Sequence, residues 1–437
     1  MNRLLAVIFT GGRKSGKLDL EAVEFATREA MHCAGAAVLG KLLSGSEAAE
    51  REVACACGGP ARLHDTRSKQ LMTVLGQVRY ERAYYLCPQC RQGQSPRDRE
   101  LDVVATEYSP GVRRMMGLVG SETSFAQGRE QLELLAGLPL TAKAVERQAE
   151  ALGADIGARE QAEIERAKQL ELPAICAPAV PVLYIEMDGT GVPMVKAETA
   201  GRAGKTAGQP AHTREVKLGC VFTQTTTDKE GRAVRDEDST TYTAAIETAA
   251  EFGLRIYTEA WRRGWSRAKK KVVIGDGAIW IWNLADQHFP SAVKIVDLYH
   301  AREHLWELSA KLFPADERQR KRWTTRLLRK LDQGEIAALV KILRQHPAPD
   351  EERAHLLANE AAYFERNADR MRYPDFRQQG LFVGSGVIEA GCRTVIGVRL
   401  KRSGMFWTVA GANAIIALRC CRLSKRFEDY CENRSAA

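Results

Sequence analysis

Three acidic residues stand where chemistry could use them. Asp188 ends the apolar run VLYIEMD and is followed by Gly-Thr, Asp276 ends KVVIGD between Gly275 and Gly277, and Glu389 follows the turn Gly384-Ser-Gly386. Apolar runs this short read as buried strands, and strand ends of an open α/β sheet face its ligand crevice. Flanking glycines allow close approach of backbone or substrate. Two aspartates from strands and a glutamate from a late helix could hold two Mg2+ (or Mn2+) ions about 4 Å apart. Such a pair activates a water or a 3′-OH and steadies the leaving oxygen in phosphodiester displacement. A strand-end acid on its own more often caps a turn or stays solvated, and spacings of 88 and 113 residues prove nothing by themselves.

A second constellation is made of thiols. Cys55-Ala-Cys57 and Cys87-Pro-Gln-Cys90 present four cysteines on two short knuckles, which suits a closed tetrahedral structural Zn2+ site. The alternative is a set of unliganded surface cysteines. The total of eleven is odd and scattered through the chain, which points to a reducing cytosol and not to a disulfide scaffold. Cys220, Cys392, Cys420 and Cys421 lie in apolar stretches and read as core filler. Two further patterns are decoys. His300-Ala-Arg-Glu303-His304 fits the H-x-x-E-H zinc-protease motif, but no third ligand stands out. Gly11–Lys17 nearly matches a phosphate loop, yet Leu18 replaces the hydroxyl that ligates Mg2+, so a flexible basic loop is expected.

The elements that must position these groups follow from periodicity. Residues 18–44 and 104–164 read as helical, the latter broken at Ser109-Pro110 and at Gly137-Leu-Pro139. Residues 124–156 form a helix–turn–helix-like pair in which Thr141 caps the second helix and Lys143, Arg147 and Gln148 project toward a major groove, although an ordinary helical hairpin has the same pattern. Met72–Tyr85 reads as a β-hairpin and Pro173–Pro181 as a linker. Beyond it, strands at Val182–Asp188, Val216–Gln224, Lys271–Asp276 and Val293–Asp297 alternate with helical segments, including Thr240–Phe252, which indicates an α/β domain. Residues 300–367 are almost purely helical and interrupt that pattern. The 437 residues suit two to four domains, and 45% hydrophobic with 27% charged residues excludes wholesale disorder. No run of about 18 apolar residues exists, and Met1–Thr10 lacks a secretory cleavage site. The net charge of +9 favours a polyanionic partner. Lys311–Lys330 holds eight Lys or Arg against two acids, with Lys321, Arg322 and Trp323 adjacent, and Arg393, Arg399, Lys401 and Arg402 crowd the glutamate helix. Cations there would neutralise phosphates beside the metals, and Trp407 could stack on a base or pack in the core.

GSGVIEAGCRTVIGVRLKRSGMFW (384–407), MDGTGVP around Asp188, GDGAIWIW around Asp276 and DLYHAREHLW from Asp297 together resemble bacterial insertion-sequence transposases of the ISKra group, in the Mutator-like DDE superfamily. The resemblance is strong over 182–425 and looser in the N-terminal half. It implies an RNase H-like core with Asp188, Asp276 and Glu389 as the metal-binding triad. It also implies a helical insertion domain between Asp276 and Glu389, and Asp297 with His300 as active-site support, steadying a scissile phosphate or a flipped base, although a strand-end Asp that caps the next helix beside a satisfied His has the same pattern. The expected organisation is an N-terminal helical region (1–50), a zinc module (51–100) and a helical DNA-binding region (101–172). The core's first part (182–299), the insertion (300–380) and the glutamate helix with its tail (381–437) follow. The activity implied is Mg2+-dependent cleavage and strand transfer at terminal inverted repeats on double-stranded DNA, by a dimer or larger assembly, in the cytoplasm at the nucleoid. Arg302, on the helix after Asp297, would face DNA. The rival readings are a zinc-dependent DNA-binding protein with an inactive core and, more remotely, an H-x-x-E-H protease.

Overall fold

The computed structural model describes residues 13–14, 17–44, 50–173, 179–204 and 209–434. Residues 1–10, Gly11, Gly12, Ser15 and Gly16 of the basic loop, and 174–178 of the linker, lie outside them. The chain divides into two compact units, Met1–Leu152 with Glu428–Ala437, and Gly153–Phe427. Among the described residues no helix is long and apolar enough to cross a membrane.

The first unit carries helix α1 (Leu20–Leu43) and an antiparallel sheet of four strands: β1 (Glu52–Ala54), β2 (Pro60–Thr73), β3 (Gly76–Leu86) and β4 (Gly93–Gln94). The hairpin expected over Met72–Tyr85 is real but misplaced. Its turn is at Val74–Leu75, and its first strand begins at Pro60. That strand, PARLHDTRSKQLMT, exposes almost every residue from Arg62 to Lys69, so it lacks the alternation that marks a half-buried strand. Three helices follow: α2 (Pro110–Glu122), α3 (Phe125–Ala136) and α4 (Ala142–Lys168). Ser109 and Ser124 cap the first two, accepting from Val112 N and Gln127 N. Gly137, at φ 67°, ends α3 in the left-handed conformation that glycine supplies without strain, and Thr141 Oγ1 accepts from Ala144 N at 3.1 Å. Val112, Met116, Leu132, Leu138, Leu140 and Val145 form the core between the three.

The second unit is built on a five-stranded sheet. In chain order the strands are β5 (Val182–Pro193), β6 (Thr213–Gln224), β7 (Thr241–Ala245), β8 (Lys270–Gly275) and β9 (Val293–Val296), and across the sheet they run β7-β6-β5-β8-β9. β5, β6 and β7 pair antiparallel, while β8 lies parallel to both β5 and β9. The central strands are buried on both faces, with Leu183, Tyr184, Ile185, Val272, Val273 and Ile274 at 0% exposure, which explains their continuous apolar runs. The helix expected over Thr240–Phe252 is corrected: its first half is β7, and α5 (Ala249–Arg262) starts at a Thr248/Glu251 capping box. After β8 come α6 (Ile279–His288), then β9, then the helices α7 (Leu298–Leu312), α8 (Glu317–Asp332), α9 (Ile336–Gln345) and α10 (Glu351–Arg366). The chain returns to the sheet at Gly380, enters α11 (Gly386–Gly391), makes a π-helical turn over Cys392–Gly397 and ends the unit near α12 (Val409–Leu423).

Candidate functional site

Asp188 and Asp276 come together because β5 and β8 are parallel neighbours. Ile274 pairs with Glu186, so the same register carried two residues on sets Asp276 beside Asp188. Asp188 is half-buried. Gly189 N donates to its Oδ1 at 2.6 Å, and the Cys392 thiol donates to Oδ2 at 3.2 Å. Despite these donors, burial first and the charge of Asp276 second hold its carboxyl above the ordinary range. Asp276 sits in the Gly275–Gly277 turn. Ala278 N donates to its Oδ1 at 2.8 Å, and the Tyr363 hydroxyl of α10 donates to its carbonyl at 3.0 Å. Gly277 has φ +100°, and a Cβ there would stand 2.6 Å from the Tyr363 ring; both facts demand glycine. Glu389 is exposed on α11. Partial burial raises its carboxyl, as do the charges of Asp297, Glu303 and Asp188. The three acids thus share one repulsive field, which a bound divalent cation would relieve. They are hard oxygen donors, the right chemistry for Mg2+, but they are kept apart. Among the described residues the ligand atoms that all lie within 4.8 Å of one another are those of the cysteines.

Glu186 escapes a search for strand-end acids. It lies on β5 two residues before Asp188, is fully buried, and accepts from Ile388 N at 2.8 Å through Oε2, while Oε1 finds no hydrogen-bond partner among the described residues. Burial pushes it up to about 8. The signal was there: an acid inside the run VLYIEMD shares Asp188's face by alternation.

Asp297 is fully buried and its carboxylate is committed to protein. It accepts from Tyr299 N and His300 N at the start of α7, and from Ser385 N at 2.6 Å and Ser385 Oγ. It therefore caps a helix and ties down the Gly384–Gly386 turn, and it has no face for a phosphate or a base. His300 is half-exposed at the edge of the acidic field, 3.6 Å from Glu303. His304 stacks on Tyr363, with ring centroids 4.2 Å apart, and its Nδ1 meets Glu360 Oε2 at 2.9 Å. No third ligand joins the two histidines among the described residues, so the protease geometry is missing.

Cys55, Cys57, Cys87 and Cys90 converge. Cys55–Cys90 and Cys57–Cys87 have Sγ atoms 3.6 Å apart. A tetrahedron of ~2.3 Å Zn–S bonds has sulfur–sulfur edges of about 3.8 Å, so the cluster fits Zn2+. The Cys90 backbone N–H helps hold the Cys87 thiol down to about 7, toward the thiolate a metal needs.

The expected DNA-facing groups divide. Lys143 and Arg147 are exposed one turn apart on α4, with Lys143 2.7 Å from Glu146 and Gln148 half-buried. On α8, Arg318, Lys321, Arg322, Arg326, Arg329 and Lys330 line a groove of about 680 Å³ with Thr325 and Gln333. Lys330 pairs with Glu335, and among the described residues the other five have no carboxylate partner. Arg393 is exposed, Lys401 lies on Thr190 Oγ1 beside Asp188, and Arg402 donates to Val398 O. Four expectations need correction. Arg302 is bidentate to Asp332 at 2.7 and 2.8 Å, joining α7 to α8. Trp323 packs edge-on against Phe313 and His346. Arg399 is fully buried over the Trp407 ring, and Trp407, 5% exposed, donates to Leu400 O. Arg302 is thus committed to an ion pair, and the other three side chains to ring packing.

Comparison with known proteins adds the following. The chain is 22% identical over 384 residues, 84% of its own length and 75% of the relative's, to a Streptococcus gallolyticus protein described as the UPF0236 protein in the vanSb 3′ region. It is also similar, at a TM-score of 0.26 and 9% identity over 78% of this chain and 84% of the other, to a chain of the Drosophila P element transposase strand transfer complex. The model of the uncharacterised protein family UPF0236 matches residues 61–426, and the chain belongs to that family.

Proposed function

We propose that this chain is a DDE transposase, cutting DNA at the ends of a mobile element and joining those ends to a target. The observation that supports the reading is the register that sets Asp188 and Asp276 at the ends of adjacent parallel strands, with the charge of Asp188 felt at Glu389. The strand order β7-β6-β5-β8-β9, with three antiparallel strands followed by two parallel ones, supports an RNase H-like core. The helices between β9 and α11 would be its insertion domain. Asp188, Asp276 and Glu389 would hold Mg2+, which when bound supplies charge neutralisation at a phosphodiester. The chain's own part is to fix where those oxygens stand. Gly189 and Cys392 orient the Asp188 carboxylate, the Asp276 turn is pinned by Ala278 and Tyr363, and Lys401 sets a cation at the rim for the phosphate.

In this reading water attacks phosphorus and the 3′ oxygen leaves as a hydroxyl; that 3′-OH then attacks a target phosphodiester in the same way. The cysteine module, as a zinc structure, and the α3–α4 pair would recognise the terminal repeats, with Lys143, Arg147 and Gln148 reading the groove. Arg393, Arg402 and the α8 cations would hold backbone. Pairing of two ends calls for a dimer or larger assembly at the nucleoid. The test is cleavage of the element's own end DNA with Mg2+ or Mn2+, comparing wild type with Asp188→Asn. Metal-dependent nicking lost in the variant is expected. Tight binding without nicking by wild type would overturn the catalytic reading in favour of a DNA-binding protein with an inactive core.

A further inference from the structure

Glu389 sits on a helix of six residues, too short to hold itself in place. Its first-turn N–H groups have no intrahelical acceptor. Ser385, at the N-cap, would ordinarily accept from Ile388 N. Here it makes no such bond, and its hydroxyl donates instead to the buried Asp297. Ile388 N instead donates 2.8 Å to Glu186 Oε2, across 202 residues of sequence. This is one rung of a series. Tyr184, Glu186 and Asp188 alternate along one face of β5 and meet the returning chain in order. Phe382 N donates to the Tyr184 hydroxyl at 3.3 Å, Ile388 N to Glu186, and Cys392 Sγ to Asp188 at 3.2 Å. Gln224 Nε2 on Gly380 O and Leu298 N on Val383 O, each at 2.9 Å, complete the attachment.

We infer that Glu186 is a positioning residue, a cap supplied by the sheet that sets the place of Glu389 through Ile388 N–H. The inference rests on the proposed reading only for what Glu389 does. The docking itself is independent of it. The acceptor oxygen is what matters: glutamine keeps one and leucine does not.

The test uses the full chain and two readouts, backbone hydrogen exchange over 382–392 and Mn2+-dependent nicking of end DNA. Glu186→Gln is expected to keep wild-type exchange and nicking. Glu186→Leu is expected to exchange about tenfold faster at Gly386–Gly391, the scale of one missing buried hydrogen bond, and to lose nicking in step. Rescue by the amide separates positioning from bulk packing. Tyr184→Phe, which removes the acceptor for Phe382 N and the donor to Gln224 Oε1, supplies the decision if the leucine variant does not fold: faster exchange over residues 380–383, with Gly386–Gly391 still held by Glu186, is expected. Unchanged exchange in the folded variants, or equal loosening by Gln and Leu, overturns the inference. The expected exchange pattern without nicking by wild type instead sinks the transposase reading and leaves the docking intact.

Discussion

The four thiols and the three carboxylates are two ways of gathering ligand atoms. The thiols come from knuckles 30 to 35 residues apart on one hairpin, and all lie within 4.8 Å of one another. The carboxylates come from two strand ends and a helix more than a hundred residues on, and they stand back from each other. A closed set suits a resident structural ion, whereas an open one leaves room for a substrate oxygen. Local chain can bring thiols into contact, but an open site needs a scaffold that holds mutually repelling groups at a fixed distance.

The largest effect should come from breaking the closed set. Cys87→Ala is expected to lose one Zn2+ per chain and, with it, the amide protection of residues 52–94, because structural zinc contributes ~10–16 kcal/mol to folding such modules. Elemental analysis and hydrogen exchange check this; a wild-type module that stays protected after zinc removal would refute it. The open set should respond in the opposite sense. Asp188 has its carboxyl raised in the folded chain, so its stabilising contribution belongs to the protonated form. That contribution is full below the unfolded value and is lost as pH rises through the folded one. Its ionised form costs stability, and Asp188→Asn should raise the metal-free melting temperature, by ~2–4 °C for each kcal/mol relieved. The variant should also abolish the further rise that Mg2+ gives wild type. A melting temperature that falls would show that the field is not repulsive.

Smaller effects test the surroundings. Reversing Arg322, Arg326 and Arg329 to Glu should lower the log–log salt slope of duplex binding by about 2–3, near 0.9 for each phosphate no longer neutralised. Filter binding across a salt titration reads it, and an unchanged slope assigns those charges to solvent. The least should come from His304, which hydrogen bonding and charge from Glu360 raise despite burial. Its stabilisation is full below the unfolded value near 6.5 and disappears as pH rises through the raised one. Glu360→Gln should remove that dependence, by up to about 1 kcal/mol, in denaturant titrations on either side of neutrality.

How much of this was legible in sequence differs between the two sets. The cysteine spacing and the strand-end acids were readable because VLYIEMD and KVVIGD are doubly buried strands. β2 was not, since both its faces are polar, and β7 was hidden because TTYTAA runs straight into a helical pattern. Buried cations are rare, so nothing in RLKRSGMFW announced that Arg399 would lie under Trp407 while Lys401 reached the rim. Asp297 was seen, but its four donors come partly from a turn 88 residues away, a partnership that only folding reveals.

The late placement of α11 has a biosynthetic side. During translation the four clustered thiols, both aspartates and the α8 cations emerge before Glu389 and its helix. A product terminated early, upstream of residue 384, would lack the third carboxylate and also α12, whose Ile415, Ile416 and Leu418 are fully buried. On the function proposed above, such a fragment would lack one of the three metal ligands and could not cut element ends.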